Sequence, residues 1–128
     1  MPPRSAVTRI AILLVAVVVL SLGCAPAVPP EAPWEKDARA LLDHAETLYA
    51  KKQYDQALKT AEGFLATYPK SRYGDRVLSL MGEIQVSSRN YTGALKSYRE
   101  LIEKYPASTM VAEAKYKIGL CFYELKEY

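Results

Sequence analysis

A step of 37 residues runs through most of this chain and limits what it can become. Tyr54, Tyr91 and Tyr128 stand 37 apart, and so do Pro69 and Pro106. Ala57 pairs with Ala94, Leu58 with Leu95, Lys59 with Lys96, Tyr68 with Tyr105, Ser71 with Ser108, and Gly82 with Gly119 at the same step. An internal period of roughly 20–50 residues marks stacked supersecondary units that share one continuous core. Within each unit the apolar residues fall at steps of three and four. Ala57, Leu58, Ala61, Phe64, Leu65 and Tyr68 do so in one copy, and Leu95, Tyr98, Leu101, Ile102 and Tyr105 in the next. That spacing places them on one stripe of a helix.

The pattern predicts an all-α chain of five helices, over 35–51, 54–67, 73–88, 91–104 and 109–126. Lys51-Lys52-Gln53 and Ser88-Arg89-Asn90 are short turns inside helical hairpins. Tyr68-Pro69-Lys70-Ser71 and Tyr105-Pro106-Ala107-Ser108 separate one hairpin from the next. Proline stops the incoming helix, and Ser71 or Ser108 is placed to accept N–H groups at the start of the following one. The helical copies occupy 35–71 and 72–108, with an incomplete third over 109–128. Tyr128 is the counterpart of two tyrosines that each open a second helix. The third copy therefore reads as the start of a hairpin that continues in a longer chain; the alternative is an end completed by another chain.

These spacings resemble the tetratricopeptide repeat. That family has a small residue in helix A, an alanine 12 places later in helix B, and a proline 24 places after the small residue. Ala45, Ala57 and Pro69 fit, as do Gly82, Ala94 and Pro106, and Gly119 begins a further copy. The resemblance implies helical hairpins stacked as a short right-handed solenoid. The family period is 34, so three residues are added here. Gln85 departs from the family, standing where a tyrosine is usual. In tetratricopeptide repeats the concave face is lined by helix A and holds extended peptides. Carried onto this chain, those positions are Arg39, Leu42, Glu46 and Tyr49, then Arg76, Ser79, Glu83 and Val86, then Glu113, Tyr116, Leu120 and Tyr123. Arg39, Tyr49, Arg76, Tyr116 and Tyr123 are the candidate partner-binding residues, because tyrosine and arginine most often anchor interfaces. The alternative is that the tyrosines pack on neighbouring helices and Arg76 pairs with Glu46 or Glu83.

The N-terminal third has another character. Met1 to Arg9 carries two arginines and no acid, and Ile10 to Leu22 is apolar apart from Ser21. Thirteen residues are too few to span a bilayer, which takes about 20, and a basic start before such a run reads as a secretory signal. Ser21-Leu22-Gly23-Cys24 closes the run and resembles a bacterial lipobox, in which the cysteine is diacylglycerylated and the chain is cut before it. On that reading 1–23 is a lipoprotein signal peptide and Cys24 the lipidation site. Cleavage after Ala25-Pro26-Ala27, giving a secreted, unlipidated protein, is the alternative. Ala25 stands where an Asp would retain many Gram-negative lipoproteins at the inner membrane, which points to the outer one. Residues 24–34 form a Pro-rich tether: four prolines in 25–33 forbid a regular helix and favour an extended chain.

Chemistry is sparse. With Arg4 and Arg9 gone, 15 basic residues face 14 acidic ones, so nothing suggests a nucleic-acid partner. One histidine and two distant cysteines make no metal site of ordinary spacing. His44 corresponds to Met81 and Ile118 and is expected at the core or its boundary. Cys121 corresponds to Ile84 and Thr47 and reads as a small buried thiol. Glu100 and Glu103 lie on a solvated helix face. No catalytic residues, cofactor, small-molecule substrate or metal is expected.

The order of cysteine, Pro-rich tether and repeats resembles envelope lipoproteins: BamD-like barrel-assembly lipoproteins, the N-terminal repeats of lipoprotein activators of penicillin-binding proteins, and periplasmic coordinators of the Tol system. The resemblance implies a non-catalytic scaffold, anchored by lipid on the periplasmic face of the outer membrane, that holds protein or peptide partners in outer-membrane protein assembly. The alternative is an N-terminal recruiting module of a longer lipoprotein acting on peptidoglycan synthesis or cell division, or of an envelope enzyme.

Overall fold

The computed structural model describes residues 30–126. The expected signal peptide over 1–23, Cys24 and most of the Pro-rich stretch fall outside them. The described chain is all-helical. It runs α1 (Glu35–Ala50), α2 (Tyr54–Thr67), α3 (Gly74–Ser87), α4 (Tyr91–Lys104) and α5 (Val111–Leu125). Each helix packs on its neighbour in sequence, and α1 also reaches α3. The result is a stack of helical hairpins of the tetratricopeptide type.

Burial shows how the stack is built. Ala38, Leu42, Ala45 and Leu48 of α1 and Ala57, Ala61 and Phe64 of α2 turn inward at helical spacing. The third helix buries eight residues, from Gly74 to Gln85, because α1, α2 and α4 surround it. The fifth buries only Ala114 and Cys121. Burying one large apolar side chain contributes about 1.5–3 kcal/mol, so the core energy concentrates in α3 and α4.

The two hairpins solve their close approach differently. In the first, Ala45 of α1 and Ala61 of α2 are both buried. Their counterparts 37 residues on are Gly82 and Tyr98. The Tyr98 ring is 1 % exposed and lies against the Gly82 backbone, where a Cβ would enter the ring. Gly119, the third member, has nothing within 4 Å of where its Cβ would stand. Gln85 is also buried. Its amide nitrogen faces Met81 O at 3.0 Å, Gly93 O at 3.1 Å and Ser97 Oγ at 2.6 Å, which ties α3 to α4.

The turns repeat as faithfully as the helices. Lys52, Arg89 and Lys126 take φ of 59°, 61° and 54°, the left-handed region, at the 37-residue step. Gln53 N–H donates to Leu48 O at 3.0 Å and Asn90 N–H to Gln85 O at 2.7 Å, so each hairpin turn closes the end of its first helix. Between hairpins, Ser71 and Ser108 accept the N–H groups of Tyr73 and Met110, both at 3.2 Å. The same hydroxyls donate backwards, Ser71 to Glu35 Oε2 at 2.9 Å and Ser108 to Asp75 Oδ2 at 2.6 Å. A carboxylate in the first turn of one helix A thereby holds the start of the next.

Three sequence expectations need correction. The third and fifth helices start later than 73 and 109, at Gly74 and Val111, because the serine turns occupy the intervening residues. His44 is exposed, unlike buried Met81: among the described residues no helix covers that side of α1. Leu42, carried over to the concave face, is 1 % exposed and belongs to the core.

Gly82→Ala should destabilise the fold by about 1–3 kcal/mol by displacing the Tyr98 ring, whereas Gly119→Ala should be neutral or stabilising by up to about 1 kcal/mol. Urea unfolding of the two variants checks the contrast. Lys52→Gly and Arg89→Gly should each raise stability by about 0.5–1 kcal/mol, since glycine occupies the left-handed region without steric cost. A raised urea midpoint reads that gain.

Candidate functional site

The first helices of the three copies, α1, α3 and α5, carry the residues expected to line a groove. Arg39 and Arg76 are exposed, and Tyr49 is half-buried. Tyr116 and Tyr123 are 65 % and 63 % exposed, and Leu120 between them is 42 % exposed. Positions 116, 120 and 123 share one face of α5.

Arg76 and Tyr49 are engaged within the stack. Arg76 grips Glu46 of α1, with Nε 2.8 Å and Nη2 2.7 Å from the same carboxylate oxygen. The Tyr49 hydroxyl lies 3.1 Å from Ser87 Oγ, and its ring tilts against Tyr54 at 5.9 Å. These contacts bind α1 to the two ends of α3. Of the two possible partners for Arg76, the structure selects Glu46.

The repeat-defining positions separate by role. Ala45, Ala57, Gly82 and Ala94 are buried, whereas Pro69, Pro106 and Gly119 are exposed. The prolines therefore act on the backbone of the turns and not through packing.

Glu83 sits half-buried on α3. Burial pushes its carboxyl above the ordinary glutamate range. Lys117 opposes the shift, and Glu113 and Glu46 add to it. The Tyr98 hydroxyl is buried and without a hydrogen-bond partner among the described residues. Burial raises the phenol strongly, and Glu83, Cys121, Glu113 and Tyr49 raise it further. Cys121 is a buried free thiol, also raised by burial. Among the described residues no group of three His, Cys, Asp or Glu could hold a metal ion. No helix among them is long and apolar enough to cross a membrane.

Sequence reasoning named Glu83 and Glu113 among the expected groove positions, but not Lys117, whose charge bears on Glu83, or the buried Tyr98 hydroxyl, on which Glu83 bears in turn. One signal was available: the Ala45–Ala61 pair of the first copy becomes Gly82–Tyr98 in the second. A residue loses its side chain where its partner gains a ring.

Stacked helical hairpins define a helical-repeat protein of the tetratricopeptide type. The family model of the YfiO outer membrane lipoproteins matches residues 22–128, and the protein belongs to this BamD-like family. No curated protein gives a significant match.

Ionising half-buried Glu83 opposes folding. Its folded pKa lies above the unfolded one, so the native state binds the extra proton and stability falls as pH rises through that interval. Glu83→Gln should therefore be more stable than the parent at neutral pH, with the difference vanishing below about pH 4. Chemical unfolding of both proteins across that range checks it.

Proposed function

We propose that the protein is a non-catalytic scaffold of the cell envelope, anchored by lipid at Cys24 on the periplasmic face of the outer membrane. It holds a protein or peptide partner in outer-membrane protein assembly. The observation that carries the reading is the match to an outer membrane lipoprotein family over residues 22–128, a span that includes Cys24. In this reading residues 1–23 are a signal peptide and 24–34 a tether that lifts the repeats from the membrane. Two or more acyl chains make such attachment stable, at about 0.8 kcal/mol per buried methylene. The repeat units over 35–128 present Arg39, Tyr49, Arg76, Tyr116 and Tyr123 to the partner. The exposed tyrosines of α5 support that assignment, because rigid aromatic side chains cost little entropy when they bind.

Cell fractionation and partner capture test both halves of the reading. Cys24→Ala should move the protein from the membrane to the soluble fraction. Tyr116→Ala with Tyr123→Ala should leave it in the membrane and reduce cross-linked partner about tenfold or more. Unchanged fractionation would overturn the anchor, and unchanged capture would overturn the groove.

A further inference from the structure

Position 34 breaks the repeat. At the 37-residue step from it stand Ser71 and Ser108, whose hydroxyls fasten each later copy to the one before. The first copy has no earlier copy among the described residues to hold, and it carries an indole there instead. Trp34 precedes α1 and makes no side-chain cap on it. Its ring stacks on Tyr68 at the end of α2, with centroids 6.0 Å apart and planes 11° from parallel. Tyr68 in turn meets buried Phe64 edge-on at 5.7 Å. The three rings lead from the core to the surface, where Trp34 is 38 % exposed. Trp34, Thr67, Tyr68, Pro69 and Lys70 line an open cleft of about 370 Å³. Lys70 is exposed and forms no ion pair among the described residues. The acids near it in the chain are engaged elsewhere: Glu31 pairs with Arg72, and buried Glu35 accepts from Ser71 Oγ and the Arg72 N–H. None of Glu31, Glu35 and Asp37 lines the cleft.

We propose that this cleft is a membrane-contact site: Trp34 and Tyr68 seat at the headgroup level of a phospholipid bilayer, and the Lys70 ammonium meets lipid phosphate. The inference rests on the reading above that Cys24 carries the lipid anchor, and it adds which end of the repeat stack touches the bilayer. Tryptophan and tyrosine, each with an apolar ring and a polar tip, favour the boundary between acyl chains and water. A lysine stem lies along such a surface while its charge reaches the anionic headgroups. Trp34 is also the first aromatic residue after Cys24. In polyproline II form the 24–34 stretch spans only about 30 Å. So short a tether holds the cleft near the surface at roughly millimolar effective concentration, where even weak interfacial binding is populated. A sugar would stack on the same indole, but the lining offers it no carboxylate or amide side chain. The proposed partner-binding residues Tyr116 and Tyr123 lie on α5, outside the cleft, and stay available.

Trp34 is the only tryptophan of the chain, so its fluorescence reads the site directly. The lipidated protein is reconstituted into vesicles of phosphatidylethanolamine and phosphatidylglycerol, brominated either near the headgroup end or near the tail end of the acyl chains. Bromine near the headgroup should quench Trp34 strongly, and bromine near the tail should quench it little. Lys70→Glu should lower the ratio of quenched to unquenched protein about fivefold or more, the factor one lysine supplies at an anionic surface. Lys96→Glu on α4 should leave that ratio unchanged. Far-UV circular dichroism establishes that each variant is folded, and flotation that it stays on the vesicles. Absence of quenching in protein that floats with the vesicles, while Cys24→Ala does not, would overturn the contact and leave the anchor in place. Failure of the lipidated parent to float would overturn the anchor and the contact with it. A Trp34 emission shift caused by soluble peptidoglycan fragments, without quenching by either lipid, would assign the cleft to glycan and overturn the proposal.

Discussion

The close approach of α3 and α4 at Gly82 governs much of this structure. The Tyr98 ring occupies the volume a side chain at 82 would need, and it is the largest fully buried side chain among the described residues. The fit brings the most buried of the described helices against its partner and buries the tyrosine hydroxyl. Among the described residues that hydroxyl finds no hydrogen-bond partner, and an unmade buried hydrogen bond costs about 1–3 kcal/mol. The surrounding core must offset that cost. Glu83, on the same helix as Gly82, is itself half-buried and raised in pKa by that burial.

The seams between hairpins show how a one-dimensional stack keeps its register. Glu35 and Asp75, both in first turns, accept from Ser71 and Ser108 at the start of the next first helix. Each hydroxyl also accepts a backbone N–H of its own turn. A single serine therefore ends one connection, begins the next helix and fastens it to the preceding copy. In repeat proteins each unit contacts only its neighbours, so such local fasteners carry long-range order.

The candidate site was only partly legible beforehand. Repeat positions pointed to the faces of α1, α3 and α5, and the tyrosines of α5 are exposed there. They did not say which charges would cancel. Arg76 and Glu46 are 30 residues apart and meet only because α1 lies against α3. Leu42 and His44 were misplaced for a related reason. A repeat alignment treats all copies alike, whereas burial depends on which neighbours a copy has.

The sequence by itself determined the helices, their turns and the small residues at the hairpin crossings. All of these follow from local spacing: apolar stripes at three and four, prolines after each second helix, and one 37-residue step that even the left-handed residues obey. Tertiary structure alone decided that Tyr98 fills the space left by Gly82, that Gln85 reaches Gly93 and Ser97, and that Glu83 is partly desolvated beside Lys117. Those outcomes depend on distances between helices. Such distances are set by packing all the side chains together, and no pairwise spacing along the chain encodes them.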